Sequence, residues 1–178
     1  MNKLIVRQAC ITFAGLCLST LLVFSMWILC SPQTMASACE RTGNYSFAVT
    51  CADLRYKYTK NSDDLSRCLD DSILCGKDKL VVKYGEKLIA DKNFGAVCEK
   101  KTAKTNVDYK SFACGNIAYS QYRRGDFSSA VKSAGISGTE AGFIKLTVAV
   151  SEKGTAKEKS DLKDVLTELN YEKLANIL

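Results

Sequence analysis

Apolar residues recur at spacings of three and four along almost the whole chain from Tyr45 onward, the pattern of amphipathic helices rather than of strands. The spacing predicts helices over Tyr45–Thr59, Asp63–Cys75, Asp78–Asp91, Phe94–Lys101, Val107–Arg124, Phe127–Ala134 and Glu140–Glu152, with a last stretch carrying Leu162, Val165, Leu166, Leu169, Leu174 and Ile177. On the first of these, Ala48, Cys51, Ala52, Arg55 and Tyr58 fall on one face. Punctuation agrees with the pattern. Asn61-Ser62 caps the second helix, Asp63 and Asp64 suit its positive dipole end, and Gly76 suits a left-handed stop after it. Gly125-Asp126 reads as a tight turn, and Thr139 as a cap. Thr102–Thr105 reads as a polar connector, and Lys153–Ser160, rich in Gly, Thr, Ala and Lys, as a mobile joint. The expected fold is all-α.

The pattern breaks at the N-terminus. Ile11–Cys30 is a run of 20 residues without charge, preceded by Lys3 and Arg7 and followed by Ser31-Pro32 and Ala36-Ser37-Ala38. A basic flank, an apolar segment and small residues at the cleavage positions make an export signal, cut before Cys39. The run is also long enough for an uncleaved anchor, since about 20 residues span a bilayer. Lipidation of Cys39 ranks third, because it would leave an odd number of thiols. The expected division is therefore a signal peptide or N-terminal membrane anchor over 1–38 and a helical domain over 39–178, placed in a periplasm, secreted or at a cell surface.

Nine cysteines follow the same division. Cys10, Cys17 and Cys30 lie in or beside the apolar run, and Cys39, Cys51, Cys68, Cys75, Cys98 and Cys114 in the body. An even set outside the cytoplasm predicts a disulfide framework. Cys68 and Cys75, seven apart on one helix, stand about 10 Å apart, beyond bridging reach. Cys51–Cys68 would staple the first helix pair, Cys98–Cys114 would span the connector, and Cys39–Cys75 would tie down the N-terminus. The chain has no histidine and no CxxC, so catalytic triads, imidazole-ligated metals and thiol redox motifs are poor readings. No metal, no cofactor and no catalytic residue is expected. Without Lys3 and Arg7 the body holds 23 basic against 19 acidic residues, too mild an excess to suggest nucleic acid.

Shifting the sequence by about 33 residues superposes Phe94 on Phe127, Gly85 on Ala118, Tyr84 on Ile117 and Ala52 on Gly85, which puts small residues at successive helix crossings. The clearest unit, Ser111–Ala134, reads SFACGNIAYSQYRRGDFSSAVKSA. It resembles tetratricopeptide-type repeats and their Sel-like relatives. Ile117-Ala118 stand at the Leu and small positions, Gly125-Asp126-Phe127 at the turn, and Ala130 at the packing alanine. Cys114 and Gln121 depart from the usual aromatics, and the closing proline is missing. The resemblance implies a helix-pair solenoid whose first helices line a concave groove, so the expected fold is such a solenoid stabilised by the disulfides that the cysteines predict. Carried onto the Ser111 unit it selects Phe112, Gly115, Tyr119, Tyr122 and Arg123, and in the first pair Asp53, Tyr56 and Lys57. Tyrosine and arginine are common anchors at interfaces. The expected partner-binding residues are thus Tyr56, Phe112, Tyr119, Tyr122 and Arg123, and the expected role is a non-enzymatic adaptor or scaffold binding a protein or peptide. Two alternatives stand beside it: a cell-wall or glycan hydrolase using Asp63, Asp64, Asp70 and Asp71, which share a helix face, and a secreted helical effector or lipid-binding bundle.

Overall fold

A computed structural model describes residues 3–178, with the side chains of 3–9, 24 and 27–30 left out of the description; those of Lys3, Arg7 and Cys30 therefore lie outside what is described. The described chain is all helical: α1 (Lys3–Cys30), α2 (Pro32–Arg41), α3 (Tyr45–Thr59), α4 (Ser62–Leu74), α5 (Asp78–Ile89), α6 (Phe94–Thr105), α7 (Tyr109–Arg123), α8 (Phe127–Ile136), a 3-10 turn (Glu140–Phe143), α9 (Ile144–Lys153), α10 (Ala156–Glu168) and α11 (Glu172–Ala175). Helices pack in neighbouring pairs, in a repeat-like stack.

Local chemistry fixes most boundaries. Asn44, Asn61, Asp108 and Asp126 each accept a backbone N–H in the first turn of α3, α4, α7 and α8, satisfying a donor that the helix leaves unpaired. Gly76 and Gly125 take positive φ where α4 and α7 stop. Several segments depart from expectation: α7 starts at Tyr109 rather than Val107, and the stretch read as one helix from Glu140 is a 3-10 turn followed by α9, with no side-chain cap from Thr139. Thr102–Thr105 continues α6, which ends only where Asn106 turns left-handed at φ 56°. The expected joint over 153–160 is mostly α10, started by a capping box in which Thr155 and Glu158 satisfy each other's backbone N–H. Composition suggested flexibility there, and the cap overrides it.

Two cores share α7. Leu65, Leu69, Leu88 and Ile117 belong to one with Val49, Tyr84 and Phe94. Ala118, the next residue, belongs to the other with Phe143, Leu146, Val150, Leu162 and Leu166. The two groups are joined through a single helix with ten buried positions. Gly85 of α5 lies directly against Ile117: a Cβ there would stand 2.6 Å from Ile117 Cδ1 and closer still to Cγ1. The small residue expected at a helix crossing is therefore used as such.

A third, small cluster joins α2 to α3 through Met35, Ala36, Cys51 and Phe47. Arg67 of α4 reaches across to α2, donating to Glu40 Oε1 at 2.6 Å and Ser37 Oγ at 2.8 Å. The Ala38/Cys39 boundary thus falls inside a packed helix, and Met35 and Ala36, upstream of it, are buried. The described side chains of α1, Cys10–Val23 with Ser25 and Met26, are all exposed. Among the described residues no helix is long and apolar enough to cross a membrane.

The expected disulfide framework is not found. Cys39, Cys51, Cys68, Cys75, Cys98 and Cys114 are all free thiols. Cys51 packs in the α2–α3 cluster whereas Cys68 sits in the first core, so the expected staple would join two different cores. Cys39 belongs to α2, beside Cys51, and Cys75 lies at the end of α4, donating to Ser72 O. Cys98 and Cys114 share the first core as reduced neighbours. Buried thiols of this kind pack as small hydrophobes.

Candidate functional site

The last two turns of α7 and the exposed side of α9 enclose an open pocket of about 650 Å³. Tyr119, Tyr122 and Arg123 form its α7 wall, and Ile144, Lys145 and Val148 its α9 wall. α7 can present these residues because its opposite side is committed to the two cores. Helix periodicity then leaves Tyr119 and Tyr122 half-buried, with Arg123 exposed at the rim.

The aromatic wall is held in place. The Arg123 guanidinium stands 5.7 Å from the Tyr119 ring centroid, a cation–π distance, and its Nε is 3.3 Å from Asp78 Oδ2 of α5. Asp78 also accepts from Ser120 Oγ at 3.0 Å. Tyr122 meets Phe127 edge-on at 6.3 Å, and partial burial with the nearby Glu158 raises its phenol above the usual value. Across the pocket, Lys145 donates to Asn116 Oδ1 at 2.7 Å. The rim carries Arg123, Lys145 and Lys153 against the single acid Glu152. A surface of two phenols, two aliphatic residues and a positive rim can hold an extended chain bearing apolar and acidic side chains.

Three of the five expected partner-binding residues, Tyr119, Tyr122 and Arg123, meet here. The other two do not. Tyr56 packs on the first core, with Lys60 Nζ 5.7 Å from its ring, and its neighbours Asp53 and Lys57 pair with each other at 3.1 Å. Phe112, two turns before Tyr119, lines a separate pocket with Leu74, Val107 and Tyr109. Gly115 is buried, with Gly142 O 3.2 Å from the place a Cβ would occupy, so it serves packing between α7 and the 3-10 turn. The α9 wall went unread in the sequence although a signal for it existed. Ile144 and Val148 are apolar but lie off the stripe of Phe143, Leu146, Thr147 and Val150, and they are 48% and 43% exposed.

The four aspartates of α4 divide between two sides and four sets of partners. Asp63 pairs with Lys100 and Asp70 with Lys101, both toward α6. Asp64 pairs with Arg55 at 2.8 Å, toward α3. Asp71 is 2% exposed; burial and the adjacent Glu40 push its carboxyl up to about 7, opposed by Arg67. Adjacent aspartates therefore point apart, and only the seven-residue pairs share a face. Among the described residues no group of three or more cysteine, aspartate or glutamate side chains is placed to hold a metal ion.

A scan of protein-family models finds no match to the chain, and neither curated proteins nor solved structures give one.

Proposed function

We propose that the chain is an extracytoplasmic protein-interaction module, an adaptor or scaffold, that takes an extended segment of a partner protein into the groove between α7 and α9. The finer reading of its stack as tetratricopeptide-like helix pairs belongs to the same proposal and rests on the residues of the Ser111–Ala134 unit. One observation carries the functional reading: Tyr119, Tyr122 and Arg123, selected from sequence as groove residues, line one pocket together with exposed apolar residues of α9. Tyrosine and arginine are among the residues most enriched at binding hot spots. Outward placement is supported by the basic flank ahead of the apolar run.

Pull-down from an extracytoplasmic fraction tests it, comparing wild type with Tyr119→Ala and Arg123→Ala. Both residues lie outside the two cores, so circular dichroism should be unchanged while partner capture falls. Capture that is indifferent to both substitutions rejects the groove. Replacing Asp63, Asp64, Asp70 and Asp71 by Asn separates the hydrolase alternative, which predicts loss of a catalytic activity rather than of capture.

A further inference from the structure

A second concavity lies at the other end of α7, independent of the groove. Leu74 closes α4, Val107 sits in the link after α6, and Phe112 is in the first turns of α7. They are 60%, 54% and 41% exposed, and all three face one pocket of about 430 Å³. Scattered surface hydrophobes need no explanation, but three large ones converging on a single concavity do. Its back wall is rigid. Tyr109 is 6% exposed and donates its hydroxyl to Asp70 Oδ1 at 2.6 Å. Its backbone N–H donates to Thr102 Oγ1 at 3.0 Å, and its ring stands 6.0 Å from that of Phe112. Lys101 Nζ lies 4.4 Å over the same ring and pairs with Asp70, cancelling that carboxylate. Lys104, also lining the pocket, has no acidic partner among the described residues, so the rim keeps one uncompensated positive charge.

We propose that this pocket is a second docking site, for an extended acidic peptide that inserts one large apolar side chain against Val107 and Phe112 and sets a neighbouring carboxylate on Lys104. The charge calls for an anion. The concave shape, with a fixed aromatic wall, suits a single inserted side chain better than the flat face of a lipid leaflet. Because Tyr109 and Lys101 are already held by Asp70, the back wall loses little side-chain freedom on binding.

The test is a titration of the full chain, followed by methyl and aromatic NMR, with the capped peptide acetyl-Glu-Leu-Phe-Glu-amide and its counterpart acetyl-Lys-Leu-Phe-Lys-amide. Leu74, Val107 and Phe112 should shift with the acidic peptide and not with the basic one. Val107→Ser should weaken that binding roughly tenfold, the worth of one buried valine side chain, and Lys104→Glu several-fold. Tyr119→Ala should leave it unchanged, so failure here and failure of the groove are told apart. The proposal is overturned by equal binding of the basic peptide, by shifts confined to Tyr119 and Ile144, or by no shift at millimolar peptide. It is equally overturned if phosphatidylglycerol vesicles perturb the same residues while the peptide does not, which would assign the face to a membrane. Concentration-dependent shifts without any ligand would assign it to a second copy of the chain and overturn it too.

Discussion

Replacing Gly85 by alanine tests the packing on which the groove depends. The added methyl would lie 2.6 Å from Ile117 Cδ1, nearer still to Cγ1, and 3.3 Å from Cγ2, where ordinary contact begins near 3.4 Å. Ile117 is fully buried among Ala113, Cys114 and their neighbours, so it cannot turn out into solvent to make room. Overpacking of this kind costs about 1–3 kcal/mol, and the better helix propensity of alanine offsets about 1 kcal/mol. The net loss should be up to about 2 kcal/mol, lowering Tm by up to roughly 8 °C. Gly95, in the first turn of α6, provides the control. A Cβ there meets nothing within 4 Å, so Gly95→Ala should be neutral or stabilising by up to about 1 kcal/mol. The decisive measurement is a double-mutant cycle by urea unfolding. Ile117→Ala alone should cost about 2–5 kcal/mol, yet in the Gly85→Ala background the clash disappears and part of the cavity is filled. The pair should therefore be less destabilising than the sum by more than about 1 kcal/mol. Additivity within about 0.5 kcal/mol, or a Gly85→Ala protein as stable as Gly95→Ala, would refute the close approach of α5 and α7.

Three further outcomes follow from the N-terminal cluster and the thiols. Asp71 has a folded-state pKa of about 7, raised by burial and by Glu40, against about 3.9 in an unfolded chain. The folded state therefore holds the extra proton, and stability falls as pH rises toward and through 7. Urea unfolding should show its contribution as a loss of about 2–3 kcal/mol between pH 5 and 8, and Asp71→Asn should flatten that slope. A chain starting at Cys39 lacks buried Met35 and Ala36 and the Ser37 contact to Arg67. It should unfold about 2–3 kcal/mol more easily than one starting at Ser31, and equal melting temperatures would contradict the docking of α2. Burial pushes Cys68 and Cys114 up to about 12 and Cys98 up to about 11. Alkylation near pH 8 should reach exposed Cys10 and Cys17 first and these three only after unfolding, as thiolate supply sets the rate. A disulfide in the mass spectrum of unreduced protein would overturn the free-thiol state.

Parts of the groove were legible in the sequence, and parts were not. Tyr119, Tyr122 and Arg123 sit on one helix, so the helical period alone places them together. Ile144 and Val148 come from a helix some twenty residues onward, and their own periodicity says only that they lie off the buried stripe. Phe112 shows the opposite failure. It shares the face of Tyr119, but two turns along the axis bring it beside Leu74 and Val107, which no repeat register locates. The cysteines misled for a related reason. Spacing along the chain ranks pairings, whereas bridging needs adjacent thiols, and Cys51 and Cys68 turn into different cores.

The sequence by itself determined the all-α class and the approximate extent of α3, α4, α5, α7 and α8, because the 3.6-residue period and capping side chains act over a few neighbouring residues. Tertiary structure decided the rest. Helix crossings such as Gly85 against Ile117 chose which apolar residues stay outside. The docking of α2 through Arg67 brought residues upstream of Cys39 into the packed body. The meeting of α7 with α9 made a pocket from two half-surfaces. Each of these depends on how closely and at what position two distant helices touch, a quantity set by the combined shape of both partners rather than by either segment alone.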